Sequence, residues 1–85
     1  MNDRKNKLLK DYLPLINKEV ARFSKTSGIS RDELLSEAYF IFARAIYKGK
    51  DRMPGFPLYI KKSIHFGLLR YVIRERKRRK RYEYR

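Results

Sequence analysis

The sequence predicts a small all-α domain of three helices, the last of them long and basic. Three observations predict it. Apolar residues recur every three or four positions in three separate segments, the period of one helix face. Ser30 and Glu33 form an S-x-x-E capping signature ahead of the middle segment. Gly28, Gly49 and Pro54-Gly55 punctuate the chain where helices would stop or turn. With 85 residues the chain is one domain. We read residues 1–81 as a single helical domain and 82–85 as a frayed tail.

The first helix is expected from about Asn6 to Lys25, with Leu9, Tyr12, Leu13, Ile16, Val20 and Phe23 on one face. Pro14 interrupts this pattern. Proline lacks an N–H and clashes with the preceding turn, so the helix either starts near Leu13 or kinks there. Lys25 to Ile29 is a connector. The second helix is expected from Arg31 to about Lys48, with Asp32 and Glu33 favouring its positive end. Leu34, Ala38, Ile41, Phe42 and Ala45 make one apolar stripe. Leu35, Tyr39, Phe42 and Ile46 make a second, and Phe40, Ala43 and Tyr47 extend it. A helix apolar nearly all round is buried all round or docks one face on a partner. After a loop from Lys50 to Pro57, the third helix is expected from Pro57. Its stripe is Ile60, Ile64, Leu68, Tyr71 and Val72, flanked by Phe66, Leu69 and Ile73. No aliphatic residue follows Ile73, and Arg74 to Arg81 continues the helix into solvent.

Charge points to the partner. There are 23 Lys and Arg against 9 Asp and Glu, a net charge of +14 and a pI near 10.4. Nine of these cations lie in residues 70–85. Such a chain seeks polyanions, nucleic acid first among them. Cysteine is absent, so no thiolate metal site or disulfide is expected. Neither a transmembrane run nor an apolar leader is visible, and the cytoplasm is the expected location. No catalytic constellation, metal cluster or phosphate-cradling glycine loop is present in the sequence, so neither an enzyme nor a cofactor is expected. The single His65 reads as a surface or half-buried structural residue. Tyr59, Lys61, Lys62, His65, Phe66, Arg70 and Arg74 nonetheless put cations and rings on the sides of the third helix, where phosphates and unpaired bases could be held. Phe66 reads first as a core ring, and Tyr59 as either a core or a contact ring. Glu37, between the two stripes of the second helix, is a candidate partner contact.

The order of these pieces resembles region 2 of the sigma-70 family of RNA polymerase sigma factors, with the extracytoplasmic-function branch the better match. The residues that carry the resemblance are Tyr12-Leu13-Pro14-Leu15-Ile16 with Ala21-Arg22-Phe23, then Glu33-Leu34-Leu35-Ser36-Glu37 and the apolar run to Ile46. Phe56, Tyr59-Ile60, Ile64, Leu68 and Arg70 through Arg81 follow. The resemblance spans about residues 9–81. It implies a transcription initiation subunit whose second helix docks on the clamp helices of the polymerase beta-prime subunit through Glu33, Ser36, Glu37, Tyr39 and Ala43. It also implies a third helix that holds the promoter minus-ten element through Tyr59, Lys62, His65, Phe66, Leu69 and Arg70. Lys61 joins this surface as a cation with no role in the core, and Arg74, Arg76, Lys77, Arg78 and Arg79 would lie on the DNA backbone. The chain departs from the family pattern at Ser36, where glutamine is usual, and in having no tryptophan to help melt DNA. No region 4 follows, so the resemblance further implies a split factor acting with a separate region-4 protein, or a phage or mobile-element relative. A basic DNA-binding regulator without polymerase contact, and an RNA-binding protein, are the alternatives.

Overall fold

The computed structural model describes the backbone of residues 2–83 and the side chains of these residues other than 2, 4 and 81–83. Helix α1 spans Asn2–Ser27, α2 spans Arg31–Tyr47 and α3 spans Phe56–Glu83, with a single 3-10 turn at Lys50–Arg52. Among the described residues the fold is all-α, as expected. Among these residues no helix is long and apolar enough to cross a membrane.

Helix α1 begins at Asn2, not Asn6, and continues without a break past the point where Pro14 suggests a start. Asp3 in its first turn suits the positive end of the helix dipole. Pro14 and Lys10 are both exposed, so the backbone hydrogen bond that proline removes is lost on the outer side of the helix. The buried face of α1 is Ile16, Val20 and Phe23, with Leu8, Leu9, Tyr12 and Leu15 packed at its edge.

The connector to α2 is short and pinned at both ends. Gly28 adopts a φ of +78°, the left-handed conformation that ends a helix, and its N–H reaches the Ser24 carbonyl at 2.9 Å. Ser24 Oγ donates to the Ile29 carbonyl at 2.6 Å, and the Ile29 N–H donates to Ser27 Oγ at 3.1 Å. These bonds satisfy the backbone around Ile29, whose side chain drops into the core.

Ser30 caps α2 as its motif predicts, accepting from the Glu33 N–H at 3.2 Å. Only this half of the capping box bears on the cap, because the Glu33 carboxylate is spent on α3. At the far end Lys48 closes the helix and Gly49 turns left-handed at φ +75°.

Helix α3 starts one residue before Pro57, with Phe56 buried. Its expected stripe lines the core: Ile60, Ile64 and Leu68 are fully buried and Val72 nearly so. Tyr12, Phe42 and Phe56, one from each helix, form a ring cluster with centroids 5.5–6.5 Å apart. Gly67 lets α2 approach closely, since a Cβ there would collide with Ile41 Cδ1. At ~1.5 Å per residue α3 is about 42 Å long. It sets the longest dimension of a molecule measuring 47 × 22 × 21 Å. The helix extends to Glu83, and Tyr84 and Arg85 of the expected 82–85 tail lie outside the described residues.

The wrapping of α2 has a mixed outcome. Helices α1 and α3 cover Leu34, Ala38, Phe42 and Ala45, so α2 is the central helix. They leave Phe40 62% and Tyr47 92% exposed. The apolar surplus seen in the sequence is this uncovered face.

Candidate nucleic-acid interface

The outer side of α3 carries Lys62, Phe66 and Leu69, flanked by Tyr59 and Arg70 at the edge toward α2 and by Ile73 and Lys77 near Ser27 and Ile29. Their spacing of three and four places them in one row, and all are exposed. Phe66 is the correction here. It reads as a core ring in the sequence, yet it is 52% exposed and turns its edge to the His65 ring at 5.3 Å. The reason is angular: the drift of the Ile60, Ile64, Leu68 row fills the core side of α3, and Phe66 falls opposite it. Tyr59 leans on Phe56 at 6.4 Å while keeping much of its ring in solvent, and the Lys50 ammonium lies 5.8 Å from its centroid. Lys61 is exposed beside this row.

The remaining expected DNA contacts divide. Arg74 turns with Arg70 toward α2, into a groove they share with Glu37, Arg44 and Lys48. His65 turns toward α1, where its Nδ1 meets Glu19 Oε1 at 2.8 Å and its ring packs on Phe23 at 5.4 Å. It is half-buried, one of the two settings expected for it. Arg76 reaches across to donate to the Thr26 carbonyl at 3.1 Å, at the end of α1. Arg78 donates to Glu75 Oε1 at 2.7 Å. Arg79 bridges Glu33 at 3.4 Å and Glu75 at 3.8 Å. The basic end of α3 is thus partly tied to the protein rather than projecting freely into solvent.

The positions implied for docking divide in the same way. Ser36, Tyr39 and Ala43 lie on the uncovered side of α2 with Phe40 and Tyr47. Glu37 turns toward α3 and lines the groove. Glu33 is a structural residue of the α2–α3 contact: its carboxylate accepts a hydrogen bond from the Tyr71 hydroxyl as well as one from the Arg79 guanidinium. That hydrogen bond to a carboxylate, with burial second, pushes the Tyr71 pKa up to about 12.

Two buried carboxylates escape a reading of the sequence. Glu19 is 4% exposed and is held by His65, with Arg22 3.8 Å away. Glu75 is 8% exposed and is held by Arg78 and Arg79. Both had a signal. Glu19 sits between Ile16 and Val20 on the core row of α1, and Glu75 continues the Leu68, Val72 row of α3. Phe40 and Tyr47, which extend the apolar stripe of α2, and the cations Arg44 and Lys48 were not among the expected contacts.

Among the described residues no group of acidic or histidine side chains could hold a metal ion, and no buried side-chain polar atom lacks a hydrogen-bond partner. No family model, curated protein or solved structure matches the chain. Fold and surface define a three-helix bundle with an aromatic face on α2 and a mixed cationic and aromatic face on α3.

Proposed function

We propose that this chain is a transcription initiation subunit of the sigma region 2 type. In this reading the outer side of α2 docks on the beta-prime clamp helices of RNA polymerase, and the outer side of α3 holds promoter DNA at the minus-ten element. The observation that carries the proposal is the exposed row of α3, in which Tyr59, Phe66, Leu69 and Ile73 alternate with Lys62, Arg70 and Lys77. Cations hold a phosphate backbone, and exposed rings stack on unpaired bases at about 1–3 kcal/mol each. A face for duplex phosphates alone would have no use for solvent-facing Phe66. The uncovered Tyr39, Phe40 and Tyr47 support the second half of the proposal, since water-exposed aromatics at helical spacing suit a protein partner. The order of motifs along the chain, similar to that of region 2, joins the two halves.

The test is a capture experiment with core RNA polymerase, a beta-prime clamp-helix fragment and a single-stranded promoter oligonucleotide, at about physiological salt so that charge is partly screened. Tyr39→Ala/Phe40→Ala should lose the polymerase and keep the oligonucleotide. Lys62→Ala/Phe66→Ala should do the reverse. Wild-type protein that takes the oligonucleotide but not the polymerase is a stand-alone regulator, and preference for structured RNA makes it an RNA-binding protein. Glu37→Lys is the poorer probe, because it adds a fifth cation to the groove that already holds Arg44, Lys48, Arg70 and Arg74.

A further inference from the structure

Between α2 and α3 runs an open groove of about 510 Å³. Its walls bring together Arg44 and Lys48 from the last turn of α2 and its cap, and Arg70 and Arg74 from the middle of α3. One carboxylate, Glu37, faces these four cations. None of the four takes part in an ion pair among the described residues. Each wall carries its two cations at i and i+4, an arrangement that repels within a single helix. Facing each other across a groove, the two pairs add to that repulsion. Arg44 and Lys48 gain something from the negative end of α2. Arg70 and Arg74 stand at mid-helix, and no helix end accounts for them. Other basic side chains of α3 show the alternative, for Arg76, Arg78 and Arg79 all find acceptors within the protein. The four groove cations have no such acceptor among the described residues.

The close approach at Gly67 fixes the geometry. Ile41 fills the space where a Cβ would stand, so the two helices meet closely in the groove whose walls carry the cations. Ser63 adds a hydroxyl to the lining, and Phe40 and Tyr59 supply rings at its sides. Guanidinium pairs suit phosphate oxygens, which accept two parallel N–H bonds.

We propose that this groove binds closely spaced phosphate groups, clamped between Arg44 and Lys48 on one wall and Arg70 and Arg74 on the other. The phosphates belong either to a nucleic-acid strand or to a free nucleoside polyphosphate. The inference stands apart from polymerase docking and does not require it.

The test is calorimetric titration of the full chain with inorganic tripolyphosphate, and separately with single-stranded oligodeoxythymidine, at about physiological salt. Arg44→Ala/Lys48→Ala should weaken tripolyphosphate binding about tenfold or more, the reduction expected when charge-assisted hydrogen bonds are removed. Arg70→Gln/Arg74→Gln should do the same from the other wall. The control is Lys18→Ala/Lys25→Ala, which removes the same charge from exposed positions on α1 outside the groove. It should change binding by less than about threefold. Helical circular dichroism and a melting curve confirm that each variant is folded. If the oligonucleotide also weakens in the two groove variants, and tripolyphosphate displaces it, the phosphates belong to a strand. If the oligonucleotide is unaffected, they belong to a free polyphosphate. Absence of tripolyphosphate binding to wild type, or an equal weakening in the α1 control, overturns the proposal.

Discussion

At the scale of single residues, pairs far apart in sequence decide what each polar side chain is free to do. Tyr71 and Glu33 are the clearest pair. The phenol donates to the carboxylate, so the folded protein holds this proton more tightly than the unfolded chain does. A raised pKa of about 12 against the ordinary 10.0 gives stability that is fully present below pH 10 and is lost as pH rises through 12. Tyr71→Phe should therefore lower stability by about 1–2 kcal/mol at neutral pH. The gap between wild type and variant, read from urea midpoints, should close between pH 10 and 12. A gap that widens with pH would contradict this pairing. Neither partner was legible as such in the sequence. Glu33 was read there as a capping residue and an implied polymerase contact, and Tyr71 as part of the apolar row, because a local motif and a periodicity contain no information on which helix ends meet. His65 shows the same limit. Its half-buried structural character was readable from its isolation, but not its partner Glu19, 46 positions away.

At the scale of elements, the three helices and their stops were legible because each has a local cause. Ser30 caps α2, Gly28 and Gly49 turn left-handed, and the buried row of α3 is the one its spacing gives. The start of α1 was not legible. Its first turns are polar, and the apolar pattern that defines a helix begins only at Leu8. Pro14 misled for a related reason. Proline is costly within a helix by its local chemistry, and here the rows of Ile16, Val20 and Phe23 on one side and Leu8, Leu9 and Tyr12 on the other hold α1 in place across it. The cost persists within the folded state. Pro14→Ala should raise stability by about 1–3 kcal/mol, since it restores a backbone donor at an exposed position without touching the core. A higher urea midpoint with an unchanged slope is the expected readout, and a lower midpoint would mean that the ring itself packs.

At the scale of the whole molecule, the net charge of +14 is divided between cations that face solvent and cations already bound to the protein. The sequence showed the total and its concentration near the end of the chain. It could not show the division, which depends on where Thr26, Glu33 and Glu75 come to rest. The division has a measurable form in the salt dependence of single-stranded DNA binding. Replacing Lys62, Arg70 and Lys77 by Ala should reduce the log–log salt slope by about 2, at ~0.7 for each phosphate no longer neutralised. Replacing Arg76, Arg78 and Arg79 should reduce it by less than about 1, although the same charge is removed. Equal reductions would mean that the tail arginines leave their protein acceptors as readily as the others meet phosphate.

The bond from Arg76 to the Thr26 carbonyl and the bridge from Arg79 to Glu33 bracket the corner between α1 and α2. An excess of polyanion at low salt competes for these two guanidinium groups, and every one it captures is withdrawn from the corner. Amide hydrogens of residues 27–31 should then exchange faster in the complex than in the free protein, while those around Leu68 and Phe42 are unchanged or slowed. The molecule would grip its ligand by loosening its own joint, with the arginines acting as a latch shared between two keepers.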